Sequence, residues 1–201
     1  RGRHHGLRER LIRVPHGAAL LVIDVQKGFD TPGWGRRNNP EAESVIASLL
    51  EAWRAADWPV VHAQHVSVEP GSALGPEQPG VEIKPEAEPR EGEPLFQKSV
   101  NSAFIGTGLE EYLRSAGIES LVMVGLTTNH CVSTTARMAG NLGFTTLVVE
   151  DATATFDRAG PDGVLHPAEL VHAVSLANLH EEFAAVVHSS EVLSVLKRTA
   201  D

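Results

Sequence analysis

The sequence predicts an α/β domain in which a parallel sheet carries helices on both faces, a three-layer α-β-α arrangement. Three observations predict it. Four short runs rich in Val, Ile and Leu, with a weaker fifth, are bounded by breakers and read as buried strands. Stretches with apolar residues three and four apart lie between them and read as helices. The two kinds of element alternate along 201 residues, which is the order that helical crossovers between parallel strands produce.

The first strand spans residues 18–24 (AALLVID). A helix follows over 40–57, where Val45, Ile46, Leu49, Leu50 and Trp53 fall on one face. The second strand is 59–66 (PVVHAQHV). Residues 69–94 then break the rhythm with six prolines and many carboxylates. So long an irregular stretch inside a domain is usually functional, and an ordered lid or an oligomer contact is expected. A helix at 108–116 carries Leu109, Tyr112 and Leu113, and the third strand is 120–125 (SLVMVG). A helix at 131–142, a strand at 144–150, a helix at 167–179 and the weaker strand at 183–188 complete the order.

Length and composition narrow the function. One domain of ordinary globular composition is expected over 15–201, since 42% of residues are hydrophobic and 21% charged. The formal charge is −9, which disfavours nucleic acid and anionic membranes as partners. No apolar run approaches the ~18–20 residues that span a bilayer. Residues 1–14 have no apolar signal core and are read as an N-terminal extension. The single cysteine excludes an internal disulfide and points to a reducing cytoplasm.

In an open parallel sheet, ligands bind beyond the carboxyl ends of the strands. Asp24 ends the first strand, and Cys131 follows the third in Leu126-Thr127-Thr128-Asn129-His130-Cys131. A cysteine at a helix start is expected to have a lowered thiol pKa, and the free amides there can hold an oxyanion. Asp24 would take the thiol proton, and Lys98, placed before a helical start, would stabilise both anions. Periodicity does not separate this set from plainer roles: a strand-end cap, a surface cation and a core thiol.

Four segments carry a resemblance to a known family: LLVIDVQKGF (20–29), the run 96–132 ending in GLTTNHCV, TARMAGNLGF (135–144) and VVEDATATFD (148–157). Together they form a D-x-Q…K…G-x-x-T-x-x-C-V pattern that resembles the isochorismatase-like cysteine hydrolases over residues 18–190. The resemblance implies a Rossmann-like fold with about six mostly parallel strands. It implies a triad of Asp24 as general base, Lys98 as electrostatic partner and Cys131 as nucleophile. A cis peptide maps to Leu126–Thr127, and the backbone amides of Thr127 and Cys131 would form the oxyanion hole. The implied reaction is cleavage of an amide C–N bond through a thioester.

Within the family, Cys131 favours amide hydrolysis over the enol-ether cleavage of true isochorismatases. Nicotinamidases place an Asp-x-His metal motif where this chain has His65 and Ser67, so neither metal nor cofactor is expected. The pattern looks nearest to streptothricin-hydrolase-like and other cysteine hydrolases. Metal-dependent nicotinamidase activity and a non-catalytic binding role are the alternatives. Gln26, Phe29, Trp34, His65, Phe104, His130 and Phe156 are candidate substrate contacts. Trp34 and Phe156 also suggest a homodimer or larger assembly, with Phe156 reaching a neighbouring pocket. Asp151 reads as a structural cap.

Overall fold

A computed structural model of the protein describes residues 14–199. Of the expected N-terminal extension, residues 1–13 lie outside the described residues. The chain forms β1 (Ala19–Ile23), α1 (Ala42–Ala55), β2 (Val60–His65), β3 (Leu95–Lys98), α2 (Leu109–Ser115) and β4 (Ser120–Leu126). It continues through α3 (Ser133–Asn141), β5 (Thr145–Ala154), a small antiparallel ribbon of β6 (Arg158–Ala159) and β7 (Leu165–His166), α4 (Ala168–Leu179), β8 (Ala185–Val187) and α5 (Ser189–Thr199). The main sheet has six strands in the order β3-β2-β1-β4-β5-β8, and each pairing is parallel. The chain builds outward from β1 to β3, returns to β4 beside β1, and builds outward again. The order therefore reverses between β1 and β4.

The central strand is apolar on both faces because both faces are covered. Leu20 and Val22 pack towards α1 and α5, with Leu49, Leu50, Trp53 and Val192. Ala19, Leu21 and Ile23 pack towards α2, α3 and α4, with Leu109, Leu113, Ala136 and Leu179. Each fully buried Leu or Ile stabilises the fold by about 1.5–3 kcal/mol. The Trp53 indole also donates to the Ala18 carbonyl at 2.8 Å, so the large ring leaves no polar atom stranded.

Three helices end in the same way. After α1, α2 and α3 the chain enters the left-handed region at Asp57, Gly117 and Gly143. The amides of Trp58, Ile118 and Phe144 then reach back to the carbonyls of Trp53, Leu113 and Ala139. This paired closure satisfies carbonyls left open at a helix end. It also buries an apolar residue just before the next strand.

One expectation needs correction, and one helix is added to the expected elements. Lys98 does not precede a helix; it ends β3, a short edge strand that the apolar pattern does not reveal. Residues 189–199 form α5, whose Val192 and Leu196 complete the core beside α1. Asp151 takes the expected capping role, accepting from the Ser189 amide at 2.8 Å at the start of α5.

The proline-rich excursion is ordered, and it folds back over α1 and the segment that follows β1. Gln26 is fully buried and clamps it: its amide donates to the carbonyls of His65 and Val81, both at 2.8 Å, and accepts from the His65 amide at 3.0 Å. Gly80 lies so close that a Cβ there would stand 2.2 Å from the Ala73 carbonyl oxygen. Buried Lys84 donates to Glu43 of α1 at 2.7 Å and to Asp30 at 2.6 Å, while Arg37 also holds Glu43. Burial alone would raise the Glu43 pKa, but Arg37 and Lys84 bring it down to about 2 from 4.5. The unfolded chain therefore binds this proton first on acidification. The network's contribution is complete above about pH 4.5 and is lost as pH falls towards 2. Glu43→Ala removes the buried partner of Lys84 and Arg37 and leaves Lys84 only the exposed Asp30, and is expected to destabilise the protein by about 3 kcal/mol at neutral pH. Chemical denaturation at pH 7 and pH 3 checks this, because the difference between wild type and variant should shrink at the lower pH.

Candidate active site

Four strands deliver side chains to one end of the sheet, at the reversal between β1 and β4 where open parallel sheets bind ligands. Asp24 follows β1 in a left-handed conformation with φ 49°, which aspartate tolerates better than most residues. His65 ends β2, and Lys98 ends β3. Beyond β4 a single π-helical turn, Thr128–Val132, carries Cys131 into α3. The Leu126–Thr127 peptide is cis, as expected. Only glycine fits at position 125, where φ is 125° and a Cβ would lie 1.8 Å from the Ile23 carbonyl oxygen. That close approach brings β4 against the end of β1 beside Asp24.

Lys98 is the centre of the cluster. Its Nζ donates to Asp24 Oδ2 at 2.9 Å and to Cys131 Sγ at 3.3 Å. It also lies 3.1 Å from His65 Nδ1 and donates to the Val100 carbonyl at 3.1 Å. An ammonium has three protons, and four acceptors surround this one. The Asp24 and Lys98 side chains are both fully buried, so each depends on the other for its charge. Asp24 Oδ1 has no hydrogen-bond partner. A carboxylate oxygen of Asp24 lies within 4.8 Å of the sulfur.

The resting thiol differs from the expectation of a lowered pKa. Burial pushes Cys131 up to about 12, and the neighbouring Asp24 carboxylate adds to the rise, while Lys98 opposes it. Desolvation and a nearby anion outweigh the ammonium and the helix start. The site at rest holds a neutral thiol beside a carboxylate–ammonium pair.

A cavity of about 310 Å³ opens onto the sulfur, at the small end of ligand pockets. Phe29, Trp34, His65 and His130 line it, as does Thr127. Trp34 tilts against Phe29 with ring centroids 5.0 Å apart, and its indole donates to the Gly28 carbonyl at 2.9 Å. The other three candidate contacts do not line it. Gln26 is occupied in clamping the excursion. Phe104 stacks on Phe144 in the core at 5.8 Å. Phe156 is buried behind the wall, 5.7 Å from Trp34 and 6.2 Å from Phe29, and backs the pocket of its own chain. Asn101, Ser67 and Leu74 also line the cavity. The Asn101 amide lies 3.8 Å from the sulfur. Its position three residues after Lys98 was the only available signal.

Both pocket histidines are held below the usual histidine value. For His65 the cause is burial and then Lys98, opposed by Asp24; for His130 it is burial and then Arg158. His62, facing away from the pocket, is buried against Glu93 at 2.8 Å. Asp24, His65 and Cys131 bring possible ligand atoms within 4.8 Å of one another. All three converge on the Lys98 ammonium, however, so the donor set already surrounds a cation and does not fit a metal ion. The position two residues beyond His65 is Ser67, which supplies no strong ligand.

Residues 18–191 match the model of the isochorismatase domain. The chain is 45% identical over 181 residues to YrdC, an uncharacterized isochorismatase family protein of Bacillus subtilis, covering 90% of this chain and 97% of that one. It is 34% identical to streptothricin hydrolase of Streptomyces noursei, covering 87% of this chain and 69% of that one. A crystal structure of an isochorismatase-family protein from Chromobacterium violaceum superposes with a TM-score of 0.89 at 48% identity, covering 93% of this chain and 97% of that one. With a parallel sheet whose reversal point gathers Asp24, Lys98 and Cys131, and with a domain match over nearly its whole length, this chain belongs to the isochorismatase family of hydrolases.

Proposed function

We propose that the protein is a cysteine hydrolase that cleaves a C–N bond of a small amide or cyclic amide through a thioester on Cys131. The observation that carries this reading is the convergence of Asp24 and Cys131 on Lys98 Nζ, at 2.9 and 3.3 Å. Because the thiol is neutral at rest, its proton must leave as sulfur attacks the carbonyl carbon. Asp24, with one oxygen unpartnered, is the acceptor. Lys98 offsets the negative charge that passes between sulfur and carboxylate. The carbonyl oxygen becomes an oxyanion, for which we assign the amides of Thr127 and Cys131. The C–N bond then breaks, Asp24 returns its proton to the departing nitrogen, and a thioester remains. Water adds to the thioester as Asp24 takes its proton, and the C–S bond breaks as Asp24 returns that proton to the sulfur, releasing the acid and restoring the thiol and the Asp24 carboxylate.

The likeness to streptothricin hydrolase supports amide or cyclic-amide substrates. Cytoplasmic location and homo-oligomeric assembly belong to the same reading. Among the described residues no helix is long and apolar enough to cross a membrane, and light scattering tests the assembly. The decisive experiment is a panel of small amides, lactams and ureido compounds, assayed for released ammonia or amine, with quenched mass spectrometry for an acyl group on Cys131. Release accompanied by acylation of Cys131 is expected. Turnover that persists without any acyl-enzyme, or only with added metal, would replace this mechanism.

A further inference from the structure

The charges around the cavity bear on which amides enter it. Of the residues that line it, only Asp24 and Glu69 carry a formal charge, and both are acidic. Asp24 is buried at its floor against Lys98, while Glu69 is exposed at its mouth. No arginine or lysine lines it among the described residues. Lys98 is buried beneath it, with its protons directed to Asp24, Cys131, His65 and the Val100 carbonyl. His65 and His130 are held towards their neutral forms, so neither supplies a cation at neutral pH. Arg158, exposed on β6, is felt electrostatically at His130 but does not line the cavity. An anionic group brought to the sulfur would leave water, find the one adjacent cation, Lys98, already paired with Asp24, and meet Glu69 on the way. The uncharged wall combines Phe29, Trp34 and Leu74 with the neutral polar Ser67, Ser99, Asn101 and Thr127, which suits a neutral polar body such as an amide.

We infer that this site selects compact amides without a carboxylate or other anionic group near the reacting carbonyl, and rejects their anionic analogues. The inference rests on the hydrolase reading for the word amide, but its test does not require turnover. Cys131 is the single cysteine of the chain, so alkylation at that sulfur is read from the mass of the intact protein. Iodoacetamide and iodoacetate transfer nearly the same group, with loss of iodide and of the thiol proton, and differ in charge. Each rate is divided by the rate of the same reagent with free cysteine in the same buffer. The neutral reagent is expected to be favoured by about tenfold or more, since one unit charge held close to another in a partly dry site exceeds that effect. Glu69→Lys is expected to shrink the preference several-fold.

A normalised ratio near one, or a preference for iodoacetate, overturns the inference. So does an undiminished preference in Glu69→Lys, because the rim carboxylate would not be its source. Protection of Cys131 from both reagents even at alkaline pH, where the thiol begins to ionise, also overturns it, since the cavity would not be the open approach that selection requires. Failure of the hydrolase reading shows separately, as absence of an acyl group on Cys131 across the amide panel, and leaves the alkylation ratio measurable.

Discussion

Replacing Cys131 with alanine is expected to abolish turnover while leaving a folded protein. In the proposed mechanism the sulfur forms the covalent intermediate, so no partial activity should survive. The structural consequences are small. Cys131 is a minor, nearly buried member of the core on the α3 side, and alanine keeps its backbone and most of its volume. Lys98 loses one acceptor out of four and keeps Asp24, His65 and the Val100 carbonyl. A thermal midpoint close to that of the wild type, with no detectable product from any substrate the wild type cleaves, is the expected pair of results. Turnover in Cys131→Ala above the uncatalysed rate would remove sulfur from the reaction.

Asp24→Asn carries the second large effect, and two of its consequences run in opposite directions. Loss of the general base should lower the rate by about 10²–10⁴-fold. Yet the Asp24 carboxylate is one of the causes that hold the thiol near 12. Its removal leaves Lys98 facing the sulfur without the competing anion, so Cys131 should ionise at a lower pH than in the wild type. The pH profile of alkylation should therefore move down while turnover falls. Asparagine suits this comparison because it keeps the shape of the side chain and tolerates the left-handed backbone at position 24. If the variant ionises more easily and also turns over within a few-fold of the wild type, then Asp24 serves only as a charge. A merely structural role would lower stability without moving the alkylation profile.

Most of the fold was legible in the sequence, and the omissions have physical causes. β1 and β4 appeared as apolar runs because a strand covered on both faces is apolar at nearly every position, and β2 and β5 kept enough Val, Leu and Ala to be read despite His62, Gln64 and Glu150. β3 did not, because it lies at the sheet edge with Leu95 exposed and spans only four residues. α5 has the helical spacing at Val192 and Leu196 but was passed over beside the weak β8. For the site, the residue types and the rule that ligands sit at strand carboxyl ends led to Asp24 and Cys131. Lys98 needed the family pattern, because nothing local distinguishes a lysine that ends an edge strand from one on the surface. Gln26, Phe104 and Phe156 show the limit of assigning contacts by proximity in sequence. Each is adjacent to the site's segments, but its side chain is used to clamp the excursion, fill the core or back the aromatic wall.

By itself the sequence determined the order of strands and helices, the absence of any internal disulfide, and the residue types available for the chemistry. These follow from local periodicity and composition, which each segment carries alone. The tertiary structure decided what those residue types become. Lys98 turns from a generic cation into the hub of four acceptors because β3 lies two strands away from Asp24 and its long side chain crosses beneath the cavity. Cys131 stays protonated, against the expectation from a helix start, because burial and an adjacent carboxylate dominate its environment. Burial and charge separation depend on distances between residues remote in the chain, and no local pattern encodes them.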